Sequence, residues 1–302
     1  MFFSKWMSFI KDEALITKTV MPGTHNSGTK GMSFLACCQD GSIYEQFLYG
    51  VRYFDVRIGI RKNGKVIFRH GIAHGMPLEE GFKDFRRIIE EFPEEFMIIN
   101  IIPYMNQQVG PIKLSYKVDV EAVNKLIEKY LEPKKYALMC EGEADKITLG
   151  DIRKSGKRYI LLNPRGMFRY TNTCENVGPW TPEVHGLRAE KFSKKILEFI
   201  DANPTKSFFW FQTQQTPNFG TEVGMKKWPR GLDETLRPYF PQIIADVASN
   251  ERWLDRMNAI TCDFITYDYM KSAYILDLNL KKGLVKPELV EEYTAAVRPH
   301  MK

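Results

Sequence analysis

FMIINII, residues 96–102, is an almost unbroken apolar run of strand length. Such a run fits a strand buried on both faces, as in a parallel sheet covered by helices, rather than a half-exposed strand with alternating residues. Working outward, Pro77–Phe92 reads as a helix with Leu78, Phe82, Phe85, Ile88, Ile89 and Phe92 on one face. Val51–Ile60 is rich in β-branched and aromatic residues and reads as a strand. Asn63-Gly64 then signals a tight turn into Lys65–Arg69, as a hairpin or a strand continuation. Further upstream, Ser42-Ile-Tyr-Glu45 is a capping-box signature for a helix that Gly50 stops. Thr17–Met21 reads as a strand ended by Pro22-Gly23, and residues 2–10 as a short amphipathic helix carrying Phe3, Trp6, Met7 and Ile10. Downstream the pattern gives a helix at 119–131, a strand at 158–163, a helix at 190–202, a strand at 207–213, a helix at 234–249, a strand at 258–263 and a last helix near 287–298.

Buried strands separated by helices argue for an α/β protein with a parallel sheet. The length of 302 residues would suggest two domains at about 150 residues each, but α/β barrels reach about 250 residues as one unit. No Gly/Pro/Ser-rich linker and no repeat interrupts the pattern. The expectation is therefore one closed (β/α)8 barrel of the TIM type over residues 1–302. Segments near 103–117, 164–189 and 214–233 would be loops, and barrel loops after strands build active sites.

Composition bounds the function only loosely. Apolar residues at 44% and charged residues at 26% exclude wholesale disorder. The net charge of +6 fits a phosphate, a nucleic acid or an acidic membrane surface, and fits ordinary colloidal charge equally well. Cys37, Cys38, Cys140, Cys174 and Cys262 form no CxxC pair and read as free thiols. No run of 18 apolar residues occurs, and the start MFFSKWMSFIKDE is broken by charges, so no signal peptide is visible.

The chain has only five histidines, and two directly follow expected strands: His25 in Met21-Pro-Gly-Thr-His-Asn-Ser-Gly28 and His70 in Phe68-Arg-His-Gly71. Strand ends are where barrel catalysts gather, so both can face one cleft. Asp55 and Arg57 share one side of a strand because side chains alternate. Two such charges inside a barrel are costly unless paired or used. Asp263 ends the last apolar strand and could orient a histidine ring. Two histidines and an arginine suit in-line attack on a phosphodiester: one imidazole accepts a proton, the other donates one, and the guanidinium neutralises the transition state. Ser27 lacks a nucleophile-elbow setting, which argues against a serine hydrolase. His74 reads as a loop residue.

These residues bring a resemblance into view. SKWMSFIKDEALITKTVMPGTHNSGT (4–29), SIYEQFLYGVRYFDVR (42–57), FRHG (68–71) and LGDIRKSGKRYILL (149–162) resemble the X-domain of bacterial phosphatidylinositol-specific phospholipase C. The likeness runs from about residue 4 to 163 and resumes more weakly at the strand bearing Asp263. It implies a distorted TIM barrel that releases diacylglycerol and an inositol cyclic phosphate. His25 matches the general base, His70 the general acid, Arg57 the phosphate-binding arginine and Asp263 the carboxylate paired with the base.

Calcium-dependent relatives carry two acids where this chain has Asp55 and Arg57, and a further acid where it has Ile101-Ile102-Pro103. The expectation is catalysis without a metal or other cofactor, since a hard cation lacks oxygen ligands here. The chain departs from the bacterial pattern at Asn26, where an aspartate supports the acid histidine. It departs again at Ile102 or Pro103, where a lysine is expected, and at Gln214-Gln-Thr-Pro217, where an aspartate and a stacking tyrosine are expected. Arg165 and Gln215 are the remaining candidates for headgroup contacts.

The expected partners are phosphatidylinositol or its glycosylated form in a membrane, with no nucleic acid, and the expected state is a monomer. Phe34, Leu35 and Lys226-Lys227-Trp228 could touch the bilayer transiently or form a half-buried aromatic patch. By resemblance the protein would be extracellular or peripheral to a membrane. The competing readings are a catalytically weak phosphoinositide- or phosphate-binding relative and a calcium-dependent variant. A glycerophosphodiesterase barrel lacks its His-Arg-Gly opening.

Overall fold

The computed structural model describes residues 2–301 apart from 110–111, 141, 164, 174–175, 203–207, 219 and 225–226. Cys174 and Lys226 therefore lie outside the described residues. The strands are β1 (Met21–Thr24), β2 (Tyr53–Ile60), β3 (Val66–His70), β4 (Ala73–Pro77), β5 (Met97–Pro103), β6 (Asn106–Val109), β7 (Ile112–Ser115), β8 (Tyr159–Leu162), β9 (Asn176–Val177), β10 (Phe208–Gln212) and β11 (Ala259–Cys262).

A parallel ladder runs β8-β5-β2-β1-β11-β10-β9, with helices in the chain between its successive strands except from β8 to β9. This is the α/β barrel architecture that the buried apolar strands implied. Among the described residues the ring is not closed by a full strand pair. Beyond β8 the ladder continues only as a bridge from Leu162 to Asn172, just before β9. Asn172 fastens this seam: its amide N–H donates to the Leu161 carbonyl at 2.7 Å, and its carbonyl accepts from Asn163 N–H at 3.1 Å.

β1 starts where the sequence pattern ends it. Residues 17–20 are turns, and Pro22-Gly23 lies inside the strand. Proline is tolerated because its missing N–H points, with its own carbonyl, toward chain that precedes β2, ahead of the first β1–β2 pair at Gly23 and Tyr53. That carbonyl accepts from Arg52 N–H at 2.9 Å, just before β2 begins. Gly23 is required by crowding: a Cβ there would lie 2.9 Å from Thr261 Cγ2 and 3.2 Å from Tyr53 Cβ. The start of β1 is held by Asn279, whose amide group donates to the Val20 carbonyl at 2.8 Å and accepts from Val20 N–H at 2.9 Å.

Several expected elements appear with shifted ends. The capping box of Ser42 and Glu45 forms and opens a helix at Ile43–Leu48. The helix Leu78–Glu91 buries Phe82, Phe85, Ile88 and Ile89, and Phe85 meets Phe54 edge-on at 5.1 Å. Residues 2–10 are two 3-10 turns rather than one helix, yet Trp6 is buried and its indole N–H donates to the Gly50 carbonyl at 2.8 Å. The stretch 103–117 contains the hairpin β6-β7 instead of a plain loop. Helix Met270–Lys281 has no counterpart in the sequence reading. It buries polar Lys271, Ser272, Asp277 and Asn279 alongside its apolar residues, which erases the amphipathic period.

At the strand-start end of the barrel, Arg52 and Glu95 form a buried ion pair. Arg52 Nε donates to Glu95 Oε2 at 3.0 Å, Nη2 donates to the Ser4 carbonyl at 2.8 Å, and the guanidinium lies 3.8 Å from the Phe47 ring centroid. The N-terminal turns are thereby tied to the barrel.

Candidate active site

β1 delivers His25 at its C-terminal end, and the turn that follows is fixed from several sides. Gln39 donates from Nε2 to the carbonyls of both His25 and Cys262, at 2.9 and 2.8 Å. Ser27 N–H donates to the Asp55 carbonyl at 2.9 Å, and Asn26 N–H to Asp55 Oδ2 at 3.1 Å. Asn26 itself takes a left-handed backbone (φ 49°), which asparagine tolerates well.

His70 reaches the same cleft through the hairpin that Asn63-Gly64 signalled. β2 runs past the end of β1, pairing with it only at Tyr53 and Phe54. The Asn63-Gly64 turn reverses the chain, with Gly64 at φ 82°. β3 then descends antiparallel, with Phe68 opposite Ile58 and Val66 opposite Ile60. His70, the last residue of β3, is brought back toward the level of Asp55 and Arg57. His74, read as a loop residue, stands instead on strand β4, paired opposite Arg69, with its side chain exposed.

The six residues His25, His70, Arg57, Asp263, Asn26 and Asp55 gather at one mouth of the barrel. The imidazole centroids of His25 and His70 stand 6.1 Å apart and nearly perpendicular, at 83°. His25 Nδ1 lies 2.9 Å from Asp263 Oδ1, so a neutral ring donates there and leaves its lone pair on Nε2. His70 Nδ1 lies 2.7 Å from the Ala36 carbonyl, which fixes the same tautomer. Arg57 Nε donates to Asp55 Oδ1 and Oδ2 at 3.1 and 3.0 Å. Asp55 is fully buried, whereas 21% of the Arg57 side chain is exposed.

Burial sets the protonation states. It lowers His25 to about 3, helped by the Arg57 charge, and His70 to about 4, helped by His25. It pushes Asp263 up to about 7, opposed by the Lys271 ammonium. Lys271 donates to the Asp263 carbonyl at 2.6 Å and pairs with the buried Asp233. Burial also works against the Arg57 charge, but Asp55 and the Tyr104 hydroxyl outweigh it and raise the guanidinium.

Asn26, expected beside the acid histidine, turns elsewhere. Its Nδ2 donates to His25 Nε2 at 2.8 Å and lies 3.9 Å from Cys38 Sγ. The neighbours of His70 Nδ1 are instead the Ala36 carbonyl and Cys38 Sγ, the latter at 3.8 Å. The two headgroup candidates stand apart from this hydrogen-bonded group. Arg165 is exposed, with Nη1 3.0 Å from Met105 Sδ. Gln215 is buried and donates to the Leu187 carbonyl at 2.5 Å. Sequence reasoning missed Cys38, Gln39, Tyr104 and Lys271. Lys271 leaves no local signal, because its partners Asp233 and Asp263 are distant in sequence. The polar Gln39 beside two cysteines, just after the His25 turn, was the available hint for the other side of the cleft.

No protein-family model matches the chain. Solved structures do. The phosphatidylinositol-specific phospholipase C of Listeria monocytogenes matches with a TM-score of 0.63 at 18% identity, over 92% of this chain and 98% of that one. A structure of the Staphylococcus aureus phosphatidylinositol-specific phospholipase C, from work on its membrane binding, matches with a TM-score of 0.65 at 16% identity, over 91% of this chain and 97% of that one. A variant of the same Staphylococcus aureus enzyme matches with a TM-score of 0.59 at 16% identity, over 91% and 96%. The fold is the one these bacterial phospholipases share. At such identities the likeness fixes the path of the chain, and the site rests on its own geometry.

Proposed function

We propose that residues 1–302 form one catalytic barrel, a phosphatidylinositol diacylglycerol-lyase of the phospholipase C type. The observation that carries this reading is the pair of perpendicular imidazoles 6.1 Å apart, His25 backed by Asp263, beside the Arg57 guanidinium. His25 Nε2 accepts the proton of the inositol 2-hydroxyl as its oxygen attacks phosphorus. His70 donates a proton to the departing diacylglycerol oxygen, and Arg57 neutralises the phosphorane-like charge. Asp263 holds the His25 tautomer and stabilises the imidazolium as it forms. The products are diacylglycerol and an inositol cyclic phosphate.

Because Asn26 Nδ2 occupies the His25 lone pair in the free protein, the substrate hydroxyl must displace that amide before attack. Catalysis in this reading needs no metal, since Asp55 is already neutralised by Arg57. Full cleavage in excess chelator supports that; loss restored by calcium would favour the calcium-dependent alternative. The exposed Phe34, Leu35 and Ile72, with Trp228 edge-on to Phe34 at 6.0 Å, supply an apolar patch for transient bilayer contact.

The test is phosphorus NMR of products from phosphatidylinositol vesicles. A cyclic phosphate signal is expected, and His25→Ala or His70→Ala should each reduce its rate of appearance by about 10²–10⁴-fold, the usual worth of a general acid or base. Near-normal turnover by either variant sinks the assignment. Lipid binding with no product at any pH would favour a phosphate-binding relative, the reading to which the Asn26–His25 bond lends support.

A further inference from the structure

We infer that His25, Cys38 and Asp263 form a binding site for a thiophilic divalent transition-metal ion of the zinc class, and that its occupation silences the cleft. One ligand atom from each residue lies within 4.8 Å of the other two, and all three residues are buried. Tetrahedral zinc with nitrogen, sulfur and oxygen ligands at about 2.0–2.3 Å places its donors roughly 3.5 Å apart. The donor atoms, at most 4.8 Å apart, must draw together by about 1 Å to reach that spacing. The donor set selects the metal: one imidazole, one thiol and one carboxylate suit zinc, cobalt or cadmium, and do not suit calcium or magnesium, which demand six or more oxygens.

A separate observation points to a ligand in the same place. The Asn26 side chain is buried among these groups, 2.8 Å from His25 Nε2 and 3.9 Å from Cys38 Sγ, and its Oδ1 has no hydrogen-bond partner among the described residues. An amide flip lets that unpartnered oxygen accept from His25 Nε2–H, which frees the Nδ1 lone pair on the Asp263 side of the ring for the ion, and a water molecule fills the fourth position. Binding replaces the Cys38 thiol proton, which leaves to solvent; the His25 ring proton moves from Nδ1 to Nε2, and the ion takes the Nδ1 lone pair.

Binding is independent of the reading above; the loss of cleavage rests on it. Protein stripped with chelator and reduced with a phosphine is titrated with cobalt(II). A saturable thiolate-to-cobalt charge-transfer band is expected, bleached by added zinc. Cys38→Ser should lose the band and weaken zinc binding by more than the ~10–100-fold that losing an outer-sphere partner costs. Asp263→Asn should weaken binding too. Cys37→Ser should retain both properties, because Cys37 Sγ faces the Gln39 carbonyl at 3.4 Å.

A band that persists in Cys38→Ser, a band lost in Cys37→Ser, or no saturable binding by the wild type overturns the site. In vesicle assays zinc should suppress cleavage by the wild type at least tenfold at concentrations that Cys38→Ser tolerates. Equal zinc inhibition of both overturns the silencing role. If no chelated variant cleaves phosphatidylinositol, the functional reading falls, while the cobalt band still decides the metal site.

Discussion

Burial disfavours the protonated form of His70, and a general acid must hold its proton. In the free protein His70 sits at about 4, so at neutral pH only a small fraction is charged. The sign follows for catalysis: kcat/KM, which reports the free protein, should fall as pH rises above about 4. The profile for kcat should lie at higher pH, because a bound phosphodiester anion raises an adjacent imidazole. A pH–rate series in chelator checks this, and a kcat/KM flat from pH 4 to 8 contradicts it. Asn26 offers an independent handle. Asn26→Asp would add a negative charge against His25, with Cys38 Sγ between it and His70, and should raise both imidazoles, moving the alkaline limb up. The residues of this machinery were legible where chemistry and position coincided: His25, Asp55, Arg57, His70 and Asp263 stand on or at the ends of strands. Arg165 and Gln215 were read in long loops with uncertain register, and neither joins the hydrogen-bonded cluster.

At the scale of elements, the strands that read best are those with long apolar runs, such as β5, and the one that read worst is β1. Its Pro22-Gly23 looks like a terminator because local propensity is all the sequence displays. The deciding facts are non-local: Tyr53 and Thr261 crowd the Gly23 position from both neighbouring strands. Gly23→Ala should therefore cost about 1–3 kcal/mol, as overpacking does. The midpoint of urea unfolding measures the loss, and the cyclic phosphate assay should fall with it because β1 carries His25. A midpoint equal to wild type would show that β2 and β11 give way freely. The β2-β3 hairpin carries a related lesson. Asn63-Gly64 announced the turn, but the strand-end rule alone misplaces His70 on a rising strand. Only the antiparallel register shows that it arrives by descent.

The whole molecule is poised between opposing proton linkages. His25 at about 3, and His70 and His185 at about 4, are buried neutral. The unfolded chain binds these protons near pH 6.5. Their contribution to stability is full above that pH and is lost as pH falls toward 4. Asp263, raised to about 7, has the opposite sign, and its contribution is lost as pH rises through 7. Three histidines outweigh one carboxyl, so the melting temperature should rise as pH goes from about 4 toward 6.5, and a steady rise on acidification from about 6.5 to about 4.5 would contradict this balance. The Arg52–Glu95 pair gives a second global test. Arg52→Ala strands a buried carboxylate and should cost about 3–5 kcal/mol, with Glu95→Gln in the same background recovering part of it. Nothing in local sequence advertised that pair, whereas the alternation of apolar strands and helices was enough to reach the barrel.

The seam between β8 and β9 lies at a telling distance from the chemistry. β1 stands midway along the ladder, with three strands on each side, so His25 at its end sits across the ring from the break. The barrel is a bracelet with its clasp opposite the stone. Amide hydrogen exchange should be fastest at Asn172 and Asn176–Val177, with β1 and β2 protected longest. Dilation at the clasp would widen the mouth near β8 and β9 while leaving His25, His70 and Arg57 in register. A ring of this kind can lengthen, shorten or vary its clasp loop to fit a bulkier polar head without retuning the reaction.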